Sequence, residues 1–260
     1  MPERNSYVQG TPNWVDLQTS DQNSAKEFYG ALFGWTYVDE AVPDGGIYSM
    51  AFIGDKTVAA ISAQGPDLAA QGVPPMWNTY LAVDDVDSTT AKVAGAGGMV
   101  AMEPFDVMDA GRMSGVMDPS GAFFMLWQAK NHIGGRLVNE PGTLIWNELQ
   151  TADTATAVAF YKAVLGLEAD TSDVGGSPYT TFKAGGEIVA GTMPPAAEGI
   201  PSHWSIYFGT ADAAATAERT KELGGSVVAG PFDTPIGPMA VLRDPQGAFF
   251  SVFQIVDQDG

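Results

Sequence analysis

The chain contains no cysteine, only two histidines and few basic residues. Without cysteine it has no disulfides, no thiolate nucleophile and no thiolate metal ligand. Its 12 Lys and Arg residues against 31 Asp and Glu residues give a formal net charge of −19, which repels nucleic acid and anionic membranes. No apolar run approaches the length of a membrane span, and the N-terminal stretch lacks a signal-peptide core. These absences predict a soluble cytoplasmic protein with neither nucleic-acid nor membrane partners.

What the chain does have is an internal repeat. Residues 10–35 return as residues 142–167 at a constant offset of 132 positions. A fixed offset over such a stretch indicates a duplicated structural unit. The matched positions include Trp14 and Trp146, Asp16 and Glu148, Gln18 and Gln150, and the Phe-Tyr pairs at 28–29 and 160–161.

The pattern of each repeat predicts strand, helix and strands, followed by the same order again. Trp14 to Thr19 alternates as a strand does, and Asp21 is a suitable N-cap for a helix that carries apolar residues at helical spacing. Residues 64–76 are rich in Pro and Gly and predict a loop, and an Asp-Pro-x-Gly turn precedes the last strand. We therefore expect an α+β fold.

Several sequence elements carry a family resemblance. They are the D-x-x-x-A-x-x-F-Y pattern that begins at Asp21, V-D-D-V-D at 83–87 and D-P-S-G-A-F-F at 118–124. Together they resemble the vicinal oxygen chelate superfamily, which includes glyoxalase I, extradiol dioxygenases, fosfomycin-resistance enzymes and bleomycin-binding proteins. The W-x-(D/E)-L-Q pair and the chain size also resemble an actinobacterial subgroup of 27 kDa antigens and glyoxalase-like "hydroxylases".

The resemblance implies paired βαβββ modules, four in the chain, with a curved, mostly antiparallel eight-stranded sheet in each repeat and helices on its outer face. The domains are then expected at 10–128 and 142–256, joined by a linker at 129–141. In metal-dependent relatives, His, Glu or Gln residues on the concave face bind one divalent metal.

The chain departs from that metal-binding pattern in both repeats. The strand after the first hairpin offers no His or Glu, and the other matched positions hold residues that are poor ligands for a catalytic divalent metal. We therefore expect no cofactor, with a metal held by a shifted set that uses Asp16, Glu148 or His203 as the alternative. The matched residues are Trp14, Asn78 and Met125 in the first repeat and Trp146, Ser205 and Ser251 in the second.

Strand alternation places a set of aromatic and polar residues on one face of each sheet. Such a face suits a flat, partly aromatic organic ligand. In the first repeat the predicted ligand-binding residues are Trp14, Gln18, Asn78, Tyr80, Met125 and Trp127. In the second repeat they are Trp146, Gln150, His203, Ser205, Tyr207 and Ser251.

Two carboxylic acids lie among these residues and are candidates for acid–base catalysis. Burial between an indole and an amide raises a carboxyl pKa, so that Asp16 or Glu148 could transfer protons near neutral pH. The alternative is that each carboxylate only bonds its neighbours and orders the sheet. Arg112 likewise has two interpretations, as a partner for an anionic ligand or for a surface carboxylate.

The sequence favours a metal-independent protein that binds a small aromatic or polyketide-like molecule, as bleomycin-binding proteins do. The alternative is an enzyme of the same family, either a metal-independent isomerase, lyase or hydroxylase that uses Asp16 or Glu148, or a metal-dependent lyase or dioxygenase. Because the two repeats have diverged, we expect their ligand cavities to differ. A monomer is the first expectation for the assembly, and a homodimer is the alternative.

Overall fold

The computed structural model describes residues 2–43 and 45–255, so Val256, the last residue of the second predicted domain, lies outside the described part. The first repeat forms a sheet of eight strands in the order β2-β3-β4-β1-β5-β8-β7-β6. These strands are β1 (Pro12–Thr19), β2 (Thr36–Ala41), β3 (Ile47–Ile53), β4 (Lys56–Ala63), β5 (Met76–Ala82), β6 (Met99–Val107), β7 (Gly111–Met117) and β8 (Phe123–Ala129).

The second repeat forms a separate sheet with the equivalent order, β10-β11-β12-β9-β13-β16-β15-β14. In each sheet the two central strands run antiparallel, while each pairs in parallel with the last strand of its own half. The strands are β9 (Leu144–Gln150), β10 (Glu168–Val174), β11 (Ser177–Ala184), β12 (Glu187–Met193), β13 (His203–Thr210), β14 (Ser226–Thr234), β15 (Gly237–Arg243) and β16 (Phe249–Gln254).

The helices begin and end where the sequence supplies caps. The Asp21 side chain accepts a hydrogen bond from the backbone N–H of Ser24, and Gly34 ends the same helix with a φ of 74°. The loop expected at 64–76 contains a short helix with a proline in its first turn. The helices are α1 (Gln22–Phe33), α2 (Pro66–Ala70), α3 (Val86–Val93), α4 (Thr154–Leu165) and α5 (Ala213–Glu222).

The long helices lie between the two sheets. Phe28 of α1 packs edge-on against Phe250 of β16, and Phe160 of α4 packs edge-on against Phe124 of β8. Each of the two large core clusters accordingly combines residues from both repeats. The sequence led us to expect helices on the outer face of each sheet. They cover the apolar face of each sheet, and that face points towards the other repeat, because burying both apolar faces together removes more surface from water.

Within the described part of the chain, no helix is long and apolar enough to span a membrane.

Candidate functional site

The faces of the two sheets that point away from the helices carry the residues singled out in the sequence. On the first sheet, Asp16 lies opposite Asn78, Trp14 lies opposite Tyr80, and Tyr80 lies beside Met125. Gln18 and Trp127 share this face by strand alternation, and we call it the first carboxylate face. On the second sheet the register groups Trp146, Glu148, Gln150, His203, Ser205, Tyr207 and Ser251 in the same way, as the second carboxylate face.

Asp16 is buried at the centre of the first carboxylate face, with 3% of its surface exposed, and both of its oxygens are hydrogen-bonded. The Asn78 amide donates to Oδ1 at 2.9 Å. The hydroxyls of Tyr80 and Tyr48 donate to Oδ2 at 2.6 Å and 3.0 Å. The Trp14 indole N–H donates in turn to the Tyr48 hydroxyl at 2.9 Å. The result is a directed chain of bonds that ends on the carboxylate.

Glu148 occupies the equivalent place on the second carboxylate face. The hydroxyls of Tyr207 and Tyr179 each donate to one of its oxygens at 2.9 Å. The Trp146 indole N–H donates to Tyr179 at 3.0 Å, which repeats the chain seen in the first repeat. The Gln150 amide adds a long bond of 3.5 Å. The two faces thus hold acidic side chains of different length, and each carboxylate accepts bonds from two tyrosine hydroxyls, which we call its tyrosine cradle.

Burial raises the pKa of both carboxyl groups. Desolvation is the larger effect for Asp16, and the bonds from Tyr80, Asn78 and Tyr48 counteract it by stabilising the ionised form. For Glu148 desolvation is again the larger effect, opposed chiefly by Tyr207 and Tyr179. The direction of both pKa shifts agrees with the expectation from the sequence.

Tyr48 and Tyr179 were not among the site residues predicted from the sequence, although they supply half of each tyrosine cradle. They lie on β3 and β11, and each is joined to its carboxylate across the central parallel strand pair. The two tyrosines are 131 rather than 132 positions apart (179 − 48), so comparing the two copies identifies them only when a one-residue deletion in the second copy is allowed for.

His132 was also assigned no ligand-facing role, and the structure places it against the first carboxylate face. Its ring meets Trp14 edge-on with centroids 4.5 Å apart, and its carbonyl oxygen accepts the Trp127 indole N–H at 2.9 Å. Burial lowers the pKa of His132 to about 4. The connector therefore closes over the Trp14 end of the first face with a neutral imidazole.

The second carboxylate face is the more exposed of the two. Trp14 and Trp127 are buried on the first face, whereas Trp146 and Phe253 are half-buried and Phe249 is 56% exposed on the second.

In the first repeat, Arg112 is bound by Asp87 at 2.7 Å and 2.8 Å, which supports its interpretation as a partner for a surface carboxylate. Since its guanidinium is already engaged, Arg112 adds no free charge to the first face.

The donor set on neither face suits a divalent metal. Each face offers one carboxylate, whose oxygens already accept bonds from neutral donors, and the positions matched to metal ligands hold indole, thioether, amide or hydroxyl groups. Among residues 2–43 and 45–255, no three His, Cys, Asp or Glu residues are grouped so that they could hold a metal ion. Of the alternative ligands, Asp16 lies on the first sheet, whereas Glu148 and His203 lie on the second.

The helices lie between two eight-stranded sheets, and each sheet carries one buried acid on the face that points away from the helices. This arrangement defines a tandem glyoxalase-type architecture. The chain belongs to the Glyoxalase/Bleomycin resistance protein/Dioxygenase superfamily, whose family model matches residues 11–126 and 134–252.

Curated relatives match over nearly the whole length. The chain is 54% identical to "Putative glyoxylase CFP32" of Mycobacterium tuberculosis, over 99% of this chain and 100% of that protein. It is 38% identical to "Anthracycline biosynthesis protein DauV" of Streptomyces sp. (strain C5), over 96% of this chain and 94% of that protein.

Solved structures support the fold at low sequence identity. A Mn(II)-bound glyoxalase from Novosphingobium aromaticivorans has a TM-score of 0.65 at 17% identity and covers 95% of this chain and 83% of that one. The 2,3-dioxygenase LapB from Pseudomonas sp. KL28 has a TM-score of 0.66 at 15% identity and covers 96% of this chain and 94% of that one.

Proposed function

We propose that the chain binds a small, flat organic molecule on the second carboxylate face, without the help of a metal ion. The observation that carries this proposal is the hydrogen bonding of the Glu148 carboxylate. Its two oxygens accept bonds from Tyr207 and Tyr179, and the surrounding positions offer aromatic rings rather than metal ligands. A carboxylate held in this way orients its neighbours and presents hydrogen-bonding groups beside an aromatic wall.

The aromatic composition supports a ligand of the aromatic, polyketide-like class. Trp146, Tyr207 and Phe253 share the face with Glu148, and the exposed ring of Phe249 extends it. Flat rings favour offset stacking or edge-on contact with such side chains. The relationship to a Streptomyces protein described as an anthracycline biosynthesis protein agrees with this ligand class.

The proposal extends to the arrangement of the chain. Each sheet is taken as two βαβββ modules curved into a ligand cavity, with domains at 10–128 and 142–256 and the linker at 129–141. We take the second cavity as the main ligand-binding site, since His132 packs over Trp14 in the first. The protein is taken to act in the cytoplasm as a monomer.

A second candidate function is metal-independent proton transfer on the same ligand. It is favoured by one observation, the burial of Glu148, whose desolvation raises the carboxyl pKa against the opposing hydrogen bonds from Tyr207 and Tyr179. A desolvated carboxylate is a stronger base than a solvated one, and it can take a proton from a carbon acid and return it to the enolate. Asp16 would have the corresponding role in the first repeat.

Native mass spectrometry of the purified chain tests metal independence. Manganese, iron or zinc is offered in turn, followed by 1,8-dihydroxyanthraquinone as the organic probe. We expect no retained metal and one bound anthraquinone per chain. One retained metal ion per chain, removed by a chelator together with probe binding, would overturn the proposal.

Glu148→Gln separates binding from catalysis, because it keeps the shape of the side chain and removes its charge. A binding protein keeps affinity for the probe within a few-fold, whereas a proton-transfer enzyme loses turnover and keeps binding. Glu222→Gln is the matched control, since Glu222 lies exposed on α5 and pairs with Arg219 of the same helix, away from the second carboxylate face.

A further inference from the structure

One end of the second carboxylate face carries two polar residues that the first face lacks. His203 begins β13 opposite Gln150, and the equivalent residue opposite Gln18 in the first repeat is Met76. Arg243 ends β15 opposite Phe249. Its equivalent is Met117, opposite Phe123. Two methionines of one face are thus replaced by nitrogen-bearing side chains on the other, on strands β13 and β15 that flank β16.

Arg243 is held in place without a carboxylate partner. Its guanidinium carbon lies 5.9 Å from the centre of the Phe249 ring, and its Nε donates to the Ser226 hydroxyl at 3.3 Å. Among the described residues, no Asp or Glu oxygen lies within 4.0 Å of the Arg243 guanidinium nitrogens, the distance that defines an ion pair. Arg112 of the first repeat, in contrast, is tied to Asp87.

His203 is fixed in one orientation at the same end of the face. Its Nδ1 lies 2.8 Å from the carbonyl oxygen of Pro201, so Nδ1 carries the proton in the neutral ring. Nε2 then accepts from the Ser205 hydroxyl at 3.2 Å. The ring is therefore already oriented, and it presents a polar edge next to the aromatic wall.

We propose that the ligand of the second carboxylate face carries a carboxylate group, which binds to Arg243 while the aromatic part of the ligand lies along Phe249 and Tyr207. A planar guanidinium with free N–H groups matches a carboxylate in shape and charge. In a chain of net charge −19, a bound anion needs such a local cation to offset the general repulsion. This inference rests on the proposed function and names its ligand class.

Calorimetric titration with anthraquinone-2-carboxylate and its neutral analogue anthraquinone-2-carboxamide tests the proposal. We expect the carboxylate to bind about ten-fold more tightly at low salt, as for a hydrogen bond to a charged group. That preference should shrink as salt is added, because the site is open to solvent. The variant Arg243→Met copies the residue of the first repeat and should abolish the preference for the carboxylate, with a smaller effect on carboxamide binding than on carboxylate binding. Arg219→Met on α5 is the matched control for loss of one charge.

The outcomes separate the two proposals. If both probes bind equally to the unmodified chain, or if Arg243→Met keeps the preference for the carboxylate, the carboxylate proposal is overturned while binding on the second face still holds. If neither probe binds, the proposed function is overturned together with it. The circular dichroism spectrum and unfolding midpoint of Arg243→Met establish that the variant is folded.

Discussion

Tyr29 of the first repeat donates a hydrogen bond from its hydroxyl to the Asp244 carboxylate of the second repeat, at 3.1 Å. The reverse bond exists as well, since Tyr161 donates to Asp118 at 3.1 Å. Each acceptor belongs to the Asp-Pro-x-Gly turn, and each tyrosine lies on the first helix of the opposite repeat. Residues that look like plain core and turn signals in the sequence therefore join the two halves of the chain.

The substitution Tyr29→Phe should lower the free energy of unfolding by about 1–3 kcal/mol, because it leaves buried polar groups without partners. The Tyr29 hydroxyl also accepts the Trp77 indole N–H at 3.0 Å, so that two bonds are lost together. Urea denaturation measures the change. Tyr37→Phe is the control, since the buried Tyr37 hydroxyl has no partner among the described residues, and equal losses in both variants would contradict the argument.

Asp16→Asn should change how stability depends on pH. The pKa of Asp16 is raised in the folded state, so this carboxyl group contributes most below its unfolded pKa of about 4 and loses that contribution as pH rises through the folded value. The stability of the unmodified chain relative to Asp16→Asn should therefore fall as pH rises above about 4. Urea denaturation along a pH series measures the difference, and a constant or rising difference would show that the sign is wrong.

His132→Phe should protect the chain against mild acid. The pKa of His132 is lowered to about 4, so its contribution is complete above the unfolded pKa and is lost as pH falls towards the folded value. The unmodified chain should lose roughly 2–3 kcal/mol relative to the variant between about pH 7 and pH 4.5. Denaturation at these two pH values provides the test, with His203→Phe as the comparison at a half-buried histidine.

Gly191→Ala should displace Tyr179 from the second carboxylate face. A Cβ atom at Gly191 would clash with the Tyr179 hydroxyl, which must then move away from Glu148 and Trp146. We expect a loss of about 1–3 kcal/mol in stability and weaker binding of the anthraquinone probe. Gly95→Ala, where an added methyl meets nothing within 4 Å, is the control. Unchanged probe affinity in Gly191→Ala would argue against a role of Tyr179 in binding.

The internal repeat predicted a duplicated unit and strand alternation predicted which residues share each carboxylate face, whereas the eight-stranded sheets were implied by the family resemblance. The match of Trp14 with Trp146 and of Asp16 with Glu148 located the centres of the two sheets, because period-2 alternation determines which side chains share a face. The caps at Asp21 and Gly34 were found by local chemistry alone.

Other features depend on distant contacts that a pattern does not encode. Tyr48 reaches Asp16 across the central strands, and His132 reaches Trp14 from the connector, so neither role follows from local spacing. The position of the helices between the sheets likewise depends on how the two repeats dock. Arg243 was not predicted from the sequence, because its role depends on its contact with Phe249 and on the comparison with Met117, its equivalent in the first repeat.

The helices between the sheets also bear on cooperativity. Each core cluster is assembled from both repeats, so neither repeat retains a complete core when the other unfolds. The chain should therefore lose its structure in a single transition, with equal calorimetric and van't Hoff enthalpies, despite its two copies. The first repeat therefore contributes part of the second repeat's core in every folded molecule. The two copies can diverge on their carboxylate faces, while the residues of the shared core remain constrained.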